Sequence, residues 1–286
     1  MAVIFERCRQ DADALREYVG LFAECFPQAE KLADTSYLRW LYCENPAGPV
    51  IGFDAREDGA LAAHYVCVPA TIRINGSTAD ALLSLNTATH PKFQGRGLFT
   101  KLAELTYSAA ADEGKTLVYG VANANSTHGF VRKLGFALIS PLESRVGVGR
   151  LGNPDWSGLD EETDFRHQWS SAELEWRLGN PKSRVNAHGL GAGTYGFSAR
   201  TGRAGIRAWA EMPLSPETQV AVKRAEMTPR VWLGLRPPAL GRLGLYKSLP
   251  ERLRPSPLNL IVRGLRSPVA IEKERVFFNF LDFDAF

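Results

Sequence analysis

The feature that most constrains this chain is a glycine-containing turn between a predicted strand and a predicted helix. An apolar run ends near residue 90, a short basic loop with Gly95 and Gly97 follows, and leucines recur at helical spacing from Leu98 to Leu105. Such a turn directs backbone N–H groups and the positive end of a helix at one point, a geometry that binds phosphate. Glycine suits it because glycine adopts positive φ angles and lets a ligand approach the backbone.

Two other phosphate-binding loops do not fit these residues. A P-loop requires Gly-Lys-Ser/Thr after its spacer, whereas here Lys101 follows Thr100. The dinucleotide fingerprint requires a third glycine at the position of Thr100. Because paired glycines also occur in ordinary strand-to-helix turns, the turn alone leaves both a phosphate site and a plain turn open.

The residues after the turn predict a strand, a loop, a short helix and another strand. The helix after the turn runs to about Ala111, and residues 116–121 form an apolar run typical of a buried strand. Residues 123–126 predict a loop that ends in a helix N-cap. Residues 130–134 then predict a short helix, which the following glycine ends.

This order of elements resembles the GCN5-related N-acetyltransferase (GNAT) superfamily. The family's acyl-CoA signature, Gln/Arg-x-x-Gly-x-Gly/Ala, is similar to residues Gln94–Phe99, although Phe99 stands where the signature has Gly or Ala. The family's later segment, an Asn followed by a helix and Lys-Leu-Gly-Phe, resembles Asn123 through Lys133–Phe136. The resemblance covers about residues 1–150.

The resemblance implies a GNAT fold of the α/β (α+β) class, with a mixed, twisted central sheet flanked by helices. It also implies transfer of an acetyl or other acyl group from acyl-CoA to an amine in a ternary complex, without a metal. Backbone amides of the loop would hold the pyrophosphate, and the end of the preceding strand would face the pantetheine arm and the thioester carbonyl. The predicted cofactor-binding residues are Thr87, Ala88, Thr89, Gln94, Gly95, Arg96, Gly97, Leu98, Phe99, Thr100, Asn123 and Ser126.

A base is needed because an amine must lose a proton before or during attack on the thioester. The candidates are His90, His64, Asp80 and Glu24, or a base that acts through water. His90 lies beside the loop and can titrate near neutrality, but it is also a turn residue before a proline. His64 lies in a predicted strand, where a buried, hydrogen-bonded histidine is the commoner outcome.

An acid for the leaving thiolate is harder to find. In many members of the family this acid is a Tyr two positions before the Lys-Leu-Gly-Phe run, but here that position is Val131. Ser126 and His128 lie nearby, and a thiolate also leaves without help (thiol pKa about 8.5). The predicted catalytic residues are therefore His90, His128 and Ser126.

The second half of the chain lacks the signature but repeats one short element. Residues 150–158 predict a linker, which divides the chain into domains 1–150 and 151–286. After it, residues 176–181 (Trp to Asn-Pro) echo residues 40–46. The second half is interpreted as a degenerate GNAT-like domain that walls the acceptor pocket, and an unrelated α+β cap or a chance echo are the alternatives.

Composition and charge limit the classes of function. The 286 residues are 45% hydrophobic with a net charge of +3, which favours a globular protein and does not point to nucleic acid or a membrane surface. The four cysteines are widely spaced, and residues 1–10 lack the apolar core of a signal peptide. A cytoplasmic protein with reduced thiols and no membrane span is expected. The aromatic residues 277–286 predict a final buried strand with Asp282 and Asp284 at its solvent end.

Three functions follow from these observations. The first is an N-acyltransferase for a small-molecule amine, with an amino sugar as one class, acting as a monomer or homodimer. The second is a non-catalytic module that binds acyl-CoA, which the missing Tyr favours. The third is a protein or peptide acetyltransferase, and O-acylation is a further alternative that the sequence leaves open.

Overall fold

The computed structural model describes residues 2–250 and 256–286, which form an α/β protein with one large, mostly antiparallel sheet. The helices are α1 (Ala12–Cys25), α2 (Thr35–Cys43), α3 (Leu98–Asp112), α4 (Ala124–Leu134) and α5 (Ser171–Leu178). The first strands are β1 (Ile4–Arg7), β2 (Ile51–Glu57), β3 (Ala60–Ile74), β4 (Ser77–Thr89), β5 (Leu117–Ala122), β6 (Ala137–Pro141) and β7 (Glu143–Gly147). The later strands are β8 (Phe165–His167), β9 (Asn186–Gly191), β10 (Thr194–Arg200), β11 (Arg207–Pro213), β12 (Arg230–Leu235), β13 (Lys247–Ser248), β14 (Asn259–Gly264) and β15 (Val276–Asn279).

The order of strands along the sheet is β6-β14-β5-β4-β3-β8-β15-β12-β11-β10-β9, and β1 and β2 extend from β3. Three neighbouring pairs are parallel, namely β4 with β5, β8 with β15, and β11 with β12. The predicted fold class, a mixed sheet flanked by helices, is therefore confirmed.

The alternating side chains of β3 pack into two cores on opposite faces of the sheet. Val66, Val68 and Ile72 pack with the buried faces of α1 and α2, whereas Tyr65 and Cys67 pack with α3 and α4. The sheet is thus covered on both faces in the first half of the chain. This explains why β3 is buried along most of its length.

The parallel strands β4 and β5 part after a short stretch of pairing. Ala81–Leu83 pair with Leu117–Tyr119, and beyond this point the two strands are not paired with each other. The β4 strand also carries a bulge there, because its register with β3 shifts next to Asn86, which has a φ of +49°. A gap therefore opens in the middle of the sheet.

A strand from the second half completes the sheet of the first half. The β14 strand lies between β5 and β6 and is antiparallel to both, so residues 142–258 separate, along the chain, two strands that are direct neighbours in the sheet. The division into 1–150 and 151–286 stays a prediction. The pairing of β14 shows that the two predicted domains share a sheet.

The echoed tryptophans meet in space. The rings of Trp40 and Trp176 stack with centroids 4.6 Å apart, and each indole N–H donates to the backbone carbonyl of the other residue at 3.0 Å. The same contact is therefore made in each direction between α2 and α5. Such a reciprocal contact is what two copies of one element would make across a local two-fold axis.

The prediction that Asp282 and Asp284 lie at a solvent end is wrong. After β15 the chain forms a turn of 3-10 helix, Phe280–Asp282, that buries both carboxylates. Asp284 accepts hydrogen bonds from Lys31, Tyr37 and Asn180, and these partners compensate the loss of hydration. The aromatic pattern predicted burial correctly, but it did not reveal polar partners from distant parts of the chain.

The four cysteines are all free. None of the helices in the described parts of the chain is long and apolar enough to cross a membrane. Within residues 2–250 and 256–286, no group of His, Cys, Asp and Glu side chains is arranged to hold a metal ion.

Candidate functional site

A cleft of about 800 Å³ opens where β4 and β5 part. One end is lined by the glycine loop and the start of α3, and the other end by the parting strands. Most of the predicted cofactor residues line this cleft. They are Thr87, Thr89, Gln94, Gly95, Arg96, Gly97, Leu98, Phe99, Thr100, Asn123 and Ser126.

The glycine loop has the backbone geometry that its residues predict. Gly95 and Gly97 have φ angles of +76° and +75°, in the left-handed region that favours glycine. Gly97 is the N-cap of α3, and no side chain caps this helix. The first N–H groups of a helix have no partner within the helix, so those of α3 are left to a ligand or solvent in the cleft.

The charge of Arg96 is paired within the protein. Its guanidinium donates two hydrogen bonds to Glu57, at 2.7 and 2.8 Å, and holds the pKa of that carboxyl below its usual range. This ion pair therefore links the glycine loop to the last residue of β2. Lys133, which lines the cleft from α4, is a cation that the sequence analysis did not single out as a ligand.

Phe99 replaces the small residue of the family signature without filling the cleft. Its ring packs edge-to-face on Tyr65 and Phe130, with centroids 6.2 and 5.3 Å away. These neighbours belong to the core between the sheet and α3. The side chain is thus anchored on that core, and the backbone of the loop is left to face the cleft.

One predicted helix boundary is wrong, namely the start of α4, which lies on the opposite wall of the cleft. The predicted helix over 130–134 in fact begins at Ala124, and its N-cap is Asn123 rather than Ser126. The Asn123 side chain accepts from the backbone N–H groups of Asn125 and Ser126 at 3.0 and 2.9 Å. Asn caps a helix as well as Ser does, and the polar first turn carried no hydrophobic periodicity to reveal it.

Three predicted residues lie outside the lining of the cleft: Ala88, His90 and His128. Ala88 is buried against β3. The His90 side chain accepts from the backbone N–H of Lys92 at 3.2 Å and so caps the turn before the loop. The catalytic roles of His90, His128 and Ser126 stay predictions.

The remaining candidates for the base have other partners. His64 is fully buried and lies 2.6 Å from a carboxylate oxygen of Asp54, so it is the hydrogen-bonded core histidine that its strand position favoured. Asp80 faces solvent and pairs with Lys115. Glu24 is exposed on α1.

Two polar residues at the parting of the strands were missed by the sequence analysis. The hydroxyl of Ser84 lies 2.7 Å from that of Tyr65, and Asn86 forms the bulge in β4. Both line the cleft, and Gly120 of β5 lies so close that a Cβ there would be 3.3 Å from that of Ser84. The sequence pattern does not single out Ser84 or Asn86, because both lie inside an apolar run and a bulge depends on pairing with other strands.

A thiol also lines the cleft. Cys25 donates to the backbone carbonyl of Thr89 at 3.4 Å, and burial raises the pKa of this thiol. The thiolate is the nucleophilic form, so the raised pKa makes Cys25 a weak nucleophile.

The sequence profile of the family described as Acetyltransferase (GNAT) domain matches residues 9–139. This stretch is therefore similar to a GNAT acetyltransferase domain. The match runs from α1 into β6 and includes the whole glycine loop, but the β14 strand, which pairs with β5 and β6, lies beyond it. None of the curated proteins matches the chain.

Solved structures share the fold through both halves of the chain. A conserved protein of unknown function from Enterococcus faecalis, described as a probable N-acyltransferase, is 12% identical with a TM-score of 0.59, over 93% of this chain and 73% of that chain. A GCN5-related N-acetyltransferase from Anabaena variabilis is 11% identical with a TM-score of 0.60, over 92% and 73%. Eis1 from Mycobacterium abscessus is 11% identical with a TM-score of 0.61, over 93% and 74%.

Proposed function

We propose that this protein transfers an acyl group from acyl-CoA, with acetyl-CoA as the expected donor, to the amine of a small molecule. The observation that carries the proposal is the uncapped N-terminus of α3, which opens with two positive-φ glycines onto a cleft of about 800 Å³. The volume of the cleft lies within the range of about 300–1,000 Å³ that small-molecule pockets span.

The residues of the cleft fit the parts of acyl-CoA. The pyrophosphate would bind the N–H groups of residues 95–100 at the positive end of α3, with Lys133 as the nearby cation. The pantetheine arm carries amide groups like those of a peptide. It would lie between β4 and β5, whose backbones are not paired with each other beyond Leu83 and Tyr119.

The chemistry is a direct displacement at the thioester carbonyl. The amine nitrogen bonds to the carbonyl carbon, the carbon–sulfur bond breaks, and CoA leaves as the thiolate while the amine loses a proton. Ser126, which lines the cleft, is the proposed hydrogen-bond donor to the thiolate. His90 and His128 lie outside the lining and would exchange protons through water.

The acceptor is proposed to be a small amine, of which an amino sugar is one class. The second half would form one wall of the acceptor pocket, because residues near its C-terminus pack against β5. Tyr119 donates to the carbonyl of Asp282 at 3.4 Å, and its ring packs against Phe278. Residues near the end of the chain thus contact Tyr119, the last residue of β5 that pairs with β4, and this contact supports the proposal.

A thermal-shift series with acetyl-CoA, longer acyl-CoAs, CoA, NAD and ATP tests the donor. A ligand at a hundred times its Kd adds about 2.7 kcal/mol to the free energy of unfolding, so acyl-CoA should raise Tm by several degrees and NAD should not. Release of free CoA thiol with a panel of amines then tests transfer.

The same two assays separate the alternatives. Binding of CoA without thiol release from any amine would support the non-catalytic module instead. Acetylation of lysines on a peptide array, with a blank amine panel, would support a peptide acetyltransferase. No shift with any CoA would remove the proposal.

A further inference from the structure

A continuous chain of buried hydrogen bonds runs from the core to the cleft. The Asn86 side-chain N–H donates to the Tyr42 hydroxyl at 3.2 Å, and this hydroxyl lies 2.9 Å from His64 Nε2. On the other side of the ring, His64 Nδ1 lies 2.6 Å from the carboxylate of Asp54. Tyr42, His64 and Asp54 are all 0% exposed, whereas Asn86 is partly exposed and lines the cleft.

The donors and acceptors of this chain have one consistent direction. The Asn86 amide N–H only donates, so the Tyr42 oxygen accepts it and the single Tyr42 proton is free to go to His64 Nε2. His64 then carries its proton on Nδ1 and donates to Asp54. Each buried group is satisfied, and burial together with nearby charges holds the pKa of Tyr42 well above its usual value.

Stability alone does not require such an arrangement. Apolar side chains of similar size often stabilise a core as well as a buried ion pair or polar group does. A fully satisfied polar network instead holds its members in one geometry, since any other leaves a buried polar group unpartnered. The geometry held here is that of Asn86, the bulge residue.

The bulge is the point of β4 that faces the reacting end of the cleft. The glycine loop lies at the opposite end, so a donor bound by its pyrophosphate would place its thioester near the parting strands, which Ser84, Asn86 and Gly120 line. A residue with positive φ in the middle of a strand needs support, and Asn tolerates it better than most residues.

We propose that Asn86 and Tyr42 are positioning residues for acyl transfer, because the Asp54–His64–Tyr42 chain holds the Asn86 side chain and so sets the course of the β4 backbone beside the thioester. This inference rests on the proposed function. It adds a role that neither residue had from the family resemblance, which singled out Thr87 to Thr89 on this strand.

Three variants test the inference. Tyr42→Phe removes the hydroxyl that holds Asn86, and Asn86→Gly removes the side chain while leaving a residue that adopts the same φ. Tyr18→Phe is the matched control, because Tyr18 is equally buried and donates to the other oxygen of Asp54 at 2.7 Å but does not touch Asn86. Tyr42→Phe and Tyr18→Phe should both lower Tm.

The expected result separates binding from turnover. Tyr42→Phe and Asn86→Gly should each lower kcat about 10- to 100-fold, as misplacement near a reacting centre does, with the Kd for CoA within threefold of the wild type. The double variant should be no slower than the slower single variant, because both changes break one chain of contacts. Tyr18→Phe should keep kcat. An unchanged kcat in Asn86→Gly and Tyr42→Phe, or an equal loss in Tyr18→Phe, would overturn the inference.

Hydrogen exchange of backbone amides tests the inference without an activity assay. Backbone amides of residues 84–89 should exchange faster in Tyr42→Phe than in the wild type and in Tyr18→Phe. Equal exchange in the three proteins would overturn the positioning role. If the three proteins differ in exchange as expected but the wild type neither binds CoA nor releases thiol, only the proposed function is refuted. The conclusion that Tyr42 holds the bulge would remain.

Discussion

Gly97 offers the sharpest test of the cofactor cradle. It precedes α3 with a φ of +75°, and a Cβ built there meets nothing within 4 Å, so a side chain would extend into open space at the cleft wall. Gly97→Trp therefore places an indole where the pyrophosphate is proposed to bind. Gly59→Trp is the matched control, since Gly59 has a φ of +81°, equally open surroundings and a position in the β2–β3 turn outside the cleft lining.

The expected changes in stability follow from backbone strain at the substituted glycine and from the free energy that a bound ligand adds. Each variant puts a non-glycine residue in the left-handed region, which costs about 1–2 kcal/mol of stability in both proteins. If the indole weakens acetyl-CoA binding about 100-fold, a ligand concentration that adds about 2.7 kcal/mol to the wild type adds only about 0.4 kcal/mol to Gly97→Trp. The Gly59 variant should keep the full ligand contribution.

The assay is a ligand-dependent thermal shift of the three proteins at one acetyl-CoA concentration. Wild type and Gly59→Trp should gain several degrees in Tm with ligand, and Gly97→Trp should gain less than one or two. Both variants should lose a similar few degrees without ligand. A full ligand shift in Gly97→Trp would refute the placement of the cradle, and a lost shift in both variants would assign the effect to backbone strain.

Further predictions concern the sheet, the tryptophan pair and a buried acid. A chain that ends at Arg150 should not unfold cooperatively, because it leaves β5 and β6 without β14, and a sharp calorimetric transition would contradict this. Trp40→Phe and Trp176→Phe should each cost roughly 1–3 kcal/mol, since each removes one indole hydrogen bond to a backbone carbonyl and part of the ring stacking, and a markedly unequal loss in denaturant titrations would contradict the reciprocal contact. Burial raises the pKa of Asp282 to about 7, so its contribution to stability is full below pH 4 and is lost as the pH rises through 7. Asp282→Asn should therefore gain stability relative to wild type as the pH rises from 4 to 7, and a constant difference in Tm over that range would contradict the buried acid.

Local patterns in the sequence determined most of the elements around the cleft. The glycine turn and the helix after it both depend on residues close together in the chain. The backbone geometry of the glycine loop was predictable for the same reason, because amides at the start of a helix need no distant partner to point into the cleft. The predicted start of α4 was wrong, because the first turn of this helix is polar and shows no hydrophobic periodicity.

The tertiary structure decided everything that depends on distant residues. The bulge at Asn86 exists only relative to β3, and its support by Tyr42 and His64 joins a helix to two strands of the sheet. The burial of Asp284 and the place of β14 likewise depend on residues more than a hundred positions away. A sequence pattern reports propensity and burial along one segment, whereas pairing and hydrogen-bond partners are set by which segments the fold brings together. The glycine loop was therefore visible in the sequence, and the geometry where β4 and β5 part was not.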